Sequence, residues 1–366
     1  TGTTTVSVGT LLVNGNNGAA TGAVSVAAGA VLGGNGTIGG AVSGTGTVAP
    51  GASFSPRSTA VLNVNNPDGV DLTGATFQTQ INGVTAGGLY DQLSVIGPVT
   101  LGGTATLDLT GSSFAPSPGT LQSVTLIAND DVDLVTGTFA GLAEGSPVPG
   151  VPSGTWYITY AGGDGNDVVL NSQPIVNGTN GQNDTLVLYL DAGGNLEFIL
   201  NGAPAVDLGS VGALPNFTFN GLDGHDLMTV DLAAGLPAPA GGVFFNGGTN
   251  ILQANPDPTG NNVGDALRVL GTGAETATYL ANAVTTGNGT VTVGSEPITF
   301  TGVDSLDSVT PSVELTNFLV ANVGFPNGQE TLALAAAPDV TQSALTNTLG
   351  VSGTSGTTGL APVALQ

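Results

Sequence analysis

The chain has 366 residues, no cysteine, two cationic side chains (Arg57 and Arg268), a single histidine and a net charge of −24. Disulfide frameworks, thiolate metal sites, lysine-based catalysis and Lys–Asn isopeptide cross-links are therefore excluded. Nucleic acid is excluded as a partner for want of clustered Lys/Arg, and anionic surfaces are disfavoured, whereas divalent cations are attracted.

The charge reflects a shortage of cations, since 8% of residues are charged against about 25% in ordinary soluble domains. The 40% of hydrophobic residues argue against disorder. Small and β-branched side chains between many Gly and Asn turns predict an all-β fold: a short β-solenoid-like block followed by β-sandwich or jelly-roll-like domains. The opening TGTTTVSVGT has no basic and apolar signal region, so it reads as a processed product. No apolar run reaches the ~20 residues of a membrane span, so no membrane span is expected.

Residues 1–56 carry no charge. Short alternations recur between Gly and Asn, as in Val6-Ser7-Val8-Gly9-Thr10-Leu11-Leu12-Val13-Asn14-Gly15 and Val24-Ser25-Val26-Ala27-Ala28-Gly29-Ala30-Val31-Leu32-Gly33. Such spacing predicts short strands coiling into a solenoid. The block resembles the autotransporter-associated β-strand repeat of bacterial surface proteins.

From 57 to 172 the predicted strands lengthen: Ala60–Val64, Thr76–Ile81, Gln92–Ile96, Ala105–Leu109, Gln122–Ile127, Trp156–Tyr160 and Asp167–Leu170. Gly, Pro and Asp turns between them suggest a sandwich domain. The stretch from Gly137 to Leu170, with its TWYITYAGGDGNDVVL, resembles a module of large secreted proteins of planctomycetes and related bacteria. Asn171–Pro174 reads as a linker. A second β-rich domain is expected over 173–310, with strands such as Thr185–Leu190, Leu196–Leu200, Met228–Leu232, Ala266–Leu270 and Pro297–Thr301. It too resembles a recurrent extracellular module of those bacteria. Residues 311–366 read as C-terminal strands and an uncharged Thr/Ser/Gly tail. Only Glu330–Ala337 tempts a helical reading, and its alternation suits a strand equally well. The tail from Thr341 either packs on its own domain or adds a strand to a neighbouring subunit.

The sharpest motif is Gly162-Gly163-Asp164-Gly165-Asn166-Asp167-Val168-Val169-Leu170. It resembles the calcium-binding nonapeptide of repeats-in-toxin proteins, which implies calcium at Asp164 and Asp167. Related turns carry Asn183-Asp184, Asp223 and Asp226, and Gly264-Asp265, so Asp223 and Asp226 are further calcium candidates. The other reading is purely conformational: Gly and Asn set a tight turn, and Asp accepts local backbone N–H groups before the next strand. Asp130, Asp131 and Asp133 read as a solvated loop. His225 sits in a Gly/Asp turn with no nucleophile elbow nearby, and Trp156, Tyr157 and Tyr160 fit a strand core better than a sugar platform. Five Asn-x-Ser/Thr sequons, beginning at Asn35, Asn177, Asn183, Asn216 and Asn288, fit chance in this composition.

The sequence thus points away from an enzyme. It suggests a secreted, cell-surface structural protein that assembles with copies of itself into a filament or lattice. The alternative is a monomeric adhesin stalk or binding module that contacts glycan or protein.

Overall fold

The computed structural model describes residues 2–51, 58–117, 119–130, 133–149, 154–248, 264–282 and 287–303, together with strand segments at 313–316, 320–324, 330–336, 349–355, 358–359 and 363–365. The protein is all-β and divides into two units, residues 1–174 and 175–366. Among the described residues no helix is long and apolar enough to cross a membrane.

Strands of two to seven residues cannot bury a face alone, so the first unit stacks them. The first turn of chain comprises β1 (Thr4–Val6), β2 (Gly9–Leu12) and β3 (Asn16–Asn17). The second comprises β4 (Val24–Val26), β5 (Ala30–Gly34) and β6 (Thr37–Ile38), and the third β7 (Val42–Gly44), β8 (Thr47–Pro50) and β9 (Val61–Asn65). A fourth follows as β10 (Val70–Asp71), β11 (Thr76–Gln78) and β12 (Gln92–Ile96), and a fifth as β13 (Val99–Thr100), β14 (Thr106–Asp108) and β15 (Ser123–Asn129), before β16 (Val135–Thr136). Every third strand joins the same parallel sheet, in the orders β1-β4-β7-β10-β13-β16, β2-β5-β8-β11-β14 and β3-β6-β9-β12-β15.

Parallel register places like on like, with successive rungs ~4.8 Å apart. One inward row runs Val24, Val42, Val70, Val99, and another Leu32, Val48, Phe77; all seven are buried. The outward row beside the second reads Thr10, Val31, Thr47, Thr76, Thr106. Corners need close backbone approach: Gly34 has φ +125°, and a Cβ there would stand 2.0 Å from the Val13 carbonyl oxygen. Only glycine tolerates both conditions. Buried Asp91 pins a later corner, accepting the Ala60 and Gln80 N–H groups at 2.9 Å each.

This winding corrects the expected sandwich over 57–172. The pairs β8–β11 and β6–β9 are parallel and run across residue 56, whereas a sandwich would require antiparallel ladders. The rise in charge and strand length there reflects a change of surface and a wider loop rather than a new domain. Apart from isolated bridges, antiparallel pairing comes at the end, where β17 (Pro147–Val148), β18 (Trp156–Gly162) and β19 (Asp167–Asn171) extend the third sheet from β15. Trp156 is fully buried there, and Phe139 stacks on Phe77 and meets Tyr160 at a tilt, with centroid distances of 6.3 Å in both pairs.

The second unit alternates between two sheets. In chain order its strands are β20 (Ile175–Asn177), β21 (Thr185–Leu190), β22 (Asn195–Leu200), β23 (Val206–Ser210), β24 (Phe217–Asn220), β25 (Leu227–Asp231), β26 (Val243–Asn246) and β27 (Ala266–Leu270). They continue as β28 (Thr276–Ala281), β29 (Gly289–Val293), β30 (Glu296–Thr301), β31 (Val313–Thr316) and β32 (Val320–Gly324). The last are β33 (Glu330–Ala336), β34 (Leu349–Ser355), β35 (Thr358–Gly359) and β36 (Val363–Leu365). The parallel core of one sheet is β20-β24-β26-β30 and of the other β21-β25-β27-β31-β36. Hairpins β21–β22–β23 and β28–β29 branch off as antiparallel additions. Val176, Phe219, Phe245 and Phe300 form one buried row, with Phe219 and Phe245 parallel at 5.4 Å. Glu330–Ala336 is a strand, and the described tail strands pair with β31 and one another, so they pack within their own unit.

Candidate functional site

The four aspartates singled out by motif fall in two places. Asp164 and Asp167 lie in the β18–β19 hairpin turn, which is closed by a Gly165 N–H to Gly162 carbonyl bond of 2.8 Å. Asp164 is exposed. Asp167 accepts the Asn129 N–H at 2.8 Å, and burial raises its pKa above the usual carboxylate range. Asn166 and Asn129 both donate to the Asp133 carbonyl, and Asn166 also donates to that of Asp130, so side-chain amides clamp the acidic loop onto the hairpin. Asp131 lies outside the described residues. The resembling nonapeptide thus sits in an antiparallel hairpin rather than between stacked parallel turns.

Asp223 and Asp226 lie in the second unit, in the corner between β24 and β25. That corner stacks directly on the one before it. The Gly181 N–H donates to the Asp223 carbonyl at 2.6 Å, and the His225 N–H to Asn183 Oδ1 at 3.1 Å. The corners repeat one device on successive turns. Asn177, Asn220 and Asn246 share a register row, each amide donating to the carbonyl of the one before at 2.8 and 2.7 Å, and the Thr301 hydroxyl continues it to Asn246 Oδ1 at 2.8 Å.

A carboxylate ladder runs beside it. The Asp184 N–H donates to Asp226 Oδ1 at 2.7 Å, and the Asp226 N–H to Asp265 Oδ1 at 2.8 Å. All three aspartates are buried. A glycine follows each ladder asparagine because the next aspartate needs its space: a Cβ at Gly221 would stand 2.2 Å from Asp226 Oδ2, and one at Gly247 2.6 Å from Asp265 Oδ2. Burial, then the charges of Asp265, Asp184 and Asp223, push the Asp226 carboxyl up to about 8, against the lowering effect of its hydrogen bond from Asp184. Sequence reasoning noted these turns separately but missed their stacking. The signal was Asn-Gly closing one strand and Asp-x-Leu or Asp-x-Met opening the next.

Chemically, the carboxylates of these corners accept backbone N–H groups of neighbouring turns. His225 is buried and neither imidazole nitrogen has a hydrogen-bond partner. Among the described residues no group of three or more His, Asp and Glu side chains is placed to hold a metal ion. A shallow cleft of about 430 Å³ in the second unit is lined by Leu232, Leu236, Glu275, Thr278 and Thr292. The Glu275 carboxylate there accepts both the N–H and the hydroxyl of Thr272, at 2.8 and 2.6 Å. Arg268 pairs with Glu314 on the neighbouring strand at 2.7 Å. No described aromatic side chain is exposed, and Trp156, Tyr157 and Tyr160 are all in the core.

Comparison of the chain with protein-family models, with curated proteins and with solved structures finds no match.

Proposed function

We propose that this is an extracellular structural protein, a β-solenoid that assembles with copies of itself into a cell-surface filament or lattice. One observation carries the reading: residues 1–56 have no charged side chain, and their short strands stack in parallel register, with Val24 on Val42 and Ser25 on Ser43. In a chain of net charge −24, a neutral stretch is where copies meet with least repulsion. We put the joint at residues 1–56, because β34 and β36 of the tail are paired on both sides within their own sheet.

The adhesin-stalk reading draws less support. Glycan platforms need exposed aromatic faces, and none is exposed among the described residues. A non-enzymatic role fits the cleft, where the one lining carboxylate is already engaged by Thr272. For Asp164, Asp167, Asp223 and Asp226 we favour the turn-forming role over calcium binding, because the Asp167 and Asp226 carboxylates already accept backbone N–H groups. A chelator should therefore leave the melting temperature unchanged; a clear fall would restore calcium to the account. Electron microscopy of the purified chain, with and without residues 341–366, tests assembly. Ordered assemblies from both chains are expected, and dispersed monomers from both would sink the proposal.

A further inference from the structure

We infer that the second unit binds a small organic cation, an alkylammonium with one charge and a short apolar chain, in the cleft beside β28 and β29. This site is independent of the assembly reading above. The cleft measures about 430 Å³, within the range of pockets that take small molecules. Its lining follows from strand alternation. β28 and β29 pair antiparallel, with Thr278 opposite Thr292 and Ala277 opposite Val293. Ala277 and Tyr279 are buried in the core, so the alternate residues Thr276 and Thr278 face the cleft. The chain leaving β25 turns back through a Gly235 N–H to Leu232 carbonyl bond of 2.9 Å and adds Leu232 and Leu236 to the lining.

A carboxylate completes it. Glu275 precedes β28, and Thr272 holds both of its oxygens: the N–H donates to Oε2 at 2.8 Å and the hydroxyl to Oε1 at 2.6 Å. These bonds keep the carboxyl below its usual pKa. A carboxylate has about four lone-pair sites, so two remain for a further donor. Fixing a side chain in advance removes an ordering cost from binding. The second unit has one Lys or Arg of its own, Arg268, and it pairs with Glu314. Charge complementarity therefore selects a cation from outside. A Ca²⁺ ion takes about six to eight oxygen ligands, which one carboxylate beside leucines does not supply. An alkylammonium suits both features, its charged head at Glu275 and its chain on Leu232, Leu236 and Val293.

The test is ligand-observed saturation-transfer NMR of the 366-residue chain, which tolerates large assemblies. The probes are n-pentylammonium, methylammonium (charge without chain) and n-pentanol (chain without charge). Pentylammonium should bind at least tenfold more tightly than either. Glu275→Gln should weaken pentylammonium at least tenfold and leave pentanol unchanged. Leu236→Ser should weaken pentylammonium and leave methylammonium unchanged. Asp207→Asn, which removes an exposed carboxylate on β23, should change nothing. Unchanged melting temperatures would show that the variants are folded. Pentylammonium binding no tighter than methylammonium, or weakened equally by Asp207→Asn and Glu275→Gln, would reduce the effect to the overall negative field and overturn the site. Neither result bears on self-assembly, which is read from mass.

Discussion

Single residues show how a chain nearly free of cations stabilises buried polar groups: backbone and hydroxyl donors replace Lys and Arg. Tyr160 is the clearest case. Its hydroxyl accepts the Phe139 N–H at 3.0 Å and donates to the Leu142 carbonyl at 2.7 Å, and burial raises its pKa far above the ordinary phenol value. Tyr160→Phe leaves a buried N–H unpaired and should cost ~1–3 kcal/mol, read from the urea midpoint. Asp226 makes the opposite use of a proton. Its carboxyl is raised from 3.8 to about 8 in the fold, so the folded state keeps a proton that the unfolded state releases. The stabilisation is whole below pH 3.8 and is lost as pH rises through about 8, at up to ~1.4 kcal/mol per pH unit between them. The second unit should therefore melt at lower temperature at pH 9 than at pH 5. Asp226→Asn keeps the acceptor for the Asp184 N–H and should flatten that dependence; an unchanged slope would remove Asp226 as its source.

At the scale of elements, corners matter more than strands. Gly29 and Gly34 both have positive φ, but a Cβ at Gly29 meets nothing within 4 Å whereas one at Gly34 meets the Val13 carbonyl. Gly29→Ala should cost ~1–2 kcal/mol from backbone strain alone, and Gly34→Ala clearly more, measured as the difference between two thermal unfolding curves. Equal losses would mean that the close approach is relaxed by a small backbone shift. This division also explains what was legible in the sequence. Period-two alternation located Gln92–Ile96, Thr185–Leu190 and Ala266–Leu270 to the residue, because an apolar-in, polar-out pattern depends only on neighbours in the chain. Pairing was not legible. Hydrophobic alternation reads the same in a sandwich and in a parallel winding, and the loops hide the repeat: Asn-Gly precedes its aspartate closely at 177–184 and 220–226 but distantly at 246–265. The Asn and Asp ladders exist only once strands far apart in sequence are in register.

At the scale of the whole molecule, the features that stabilise the fold also set its surface. Inward rows of Val, Leu and Phe supply the core, the outward Thr row is uncharged, and acidic groups begin only at Asp68. The first unit thus opens on an uncharged block of short parallel strands, on a molecule whose remainder repels its own kind. Screening by salt should accordingly strengthen association, since contact through an uncharged block is indifferent to ionic strength while the long-range repulsion is not. The central claim, that the protein's work is to assemble with itself, is tested most directly by sedimentation velocity of the 366-residue chain over a concentration series. The account predicts a mass that climbs above the 35.5 kDa of one chain as concentration rises, and a single 35.5 kDa species at every concentration would contradict it.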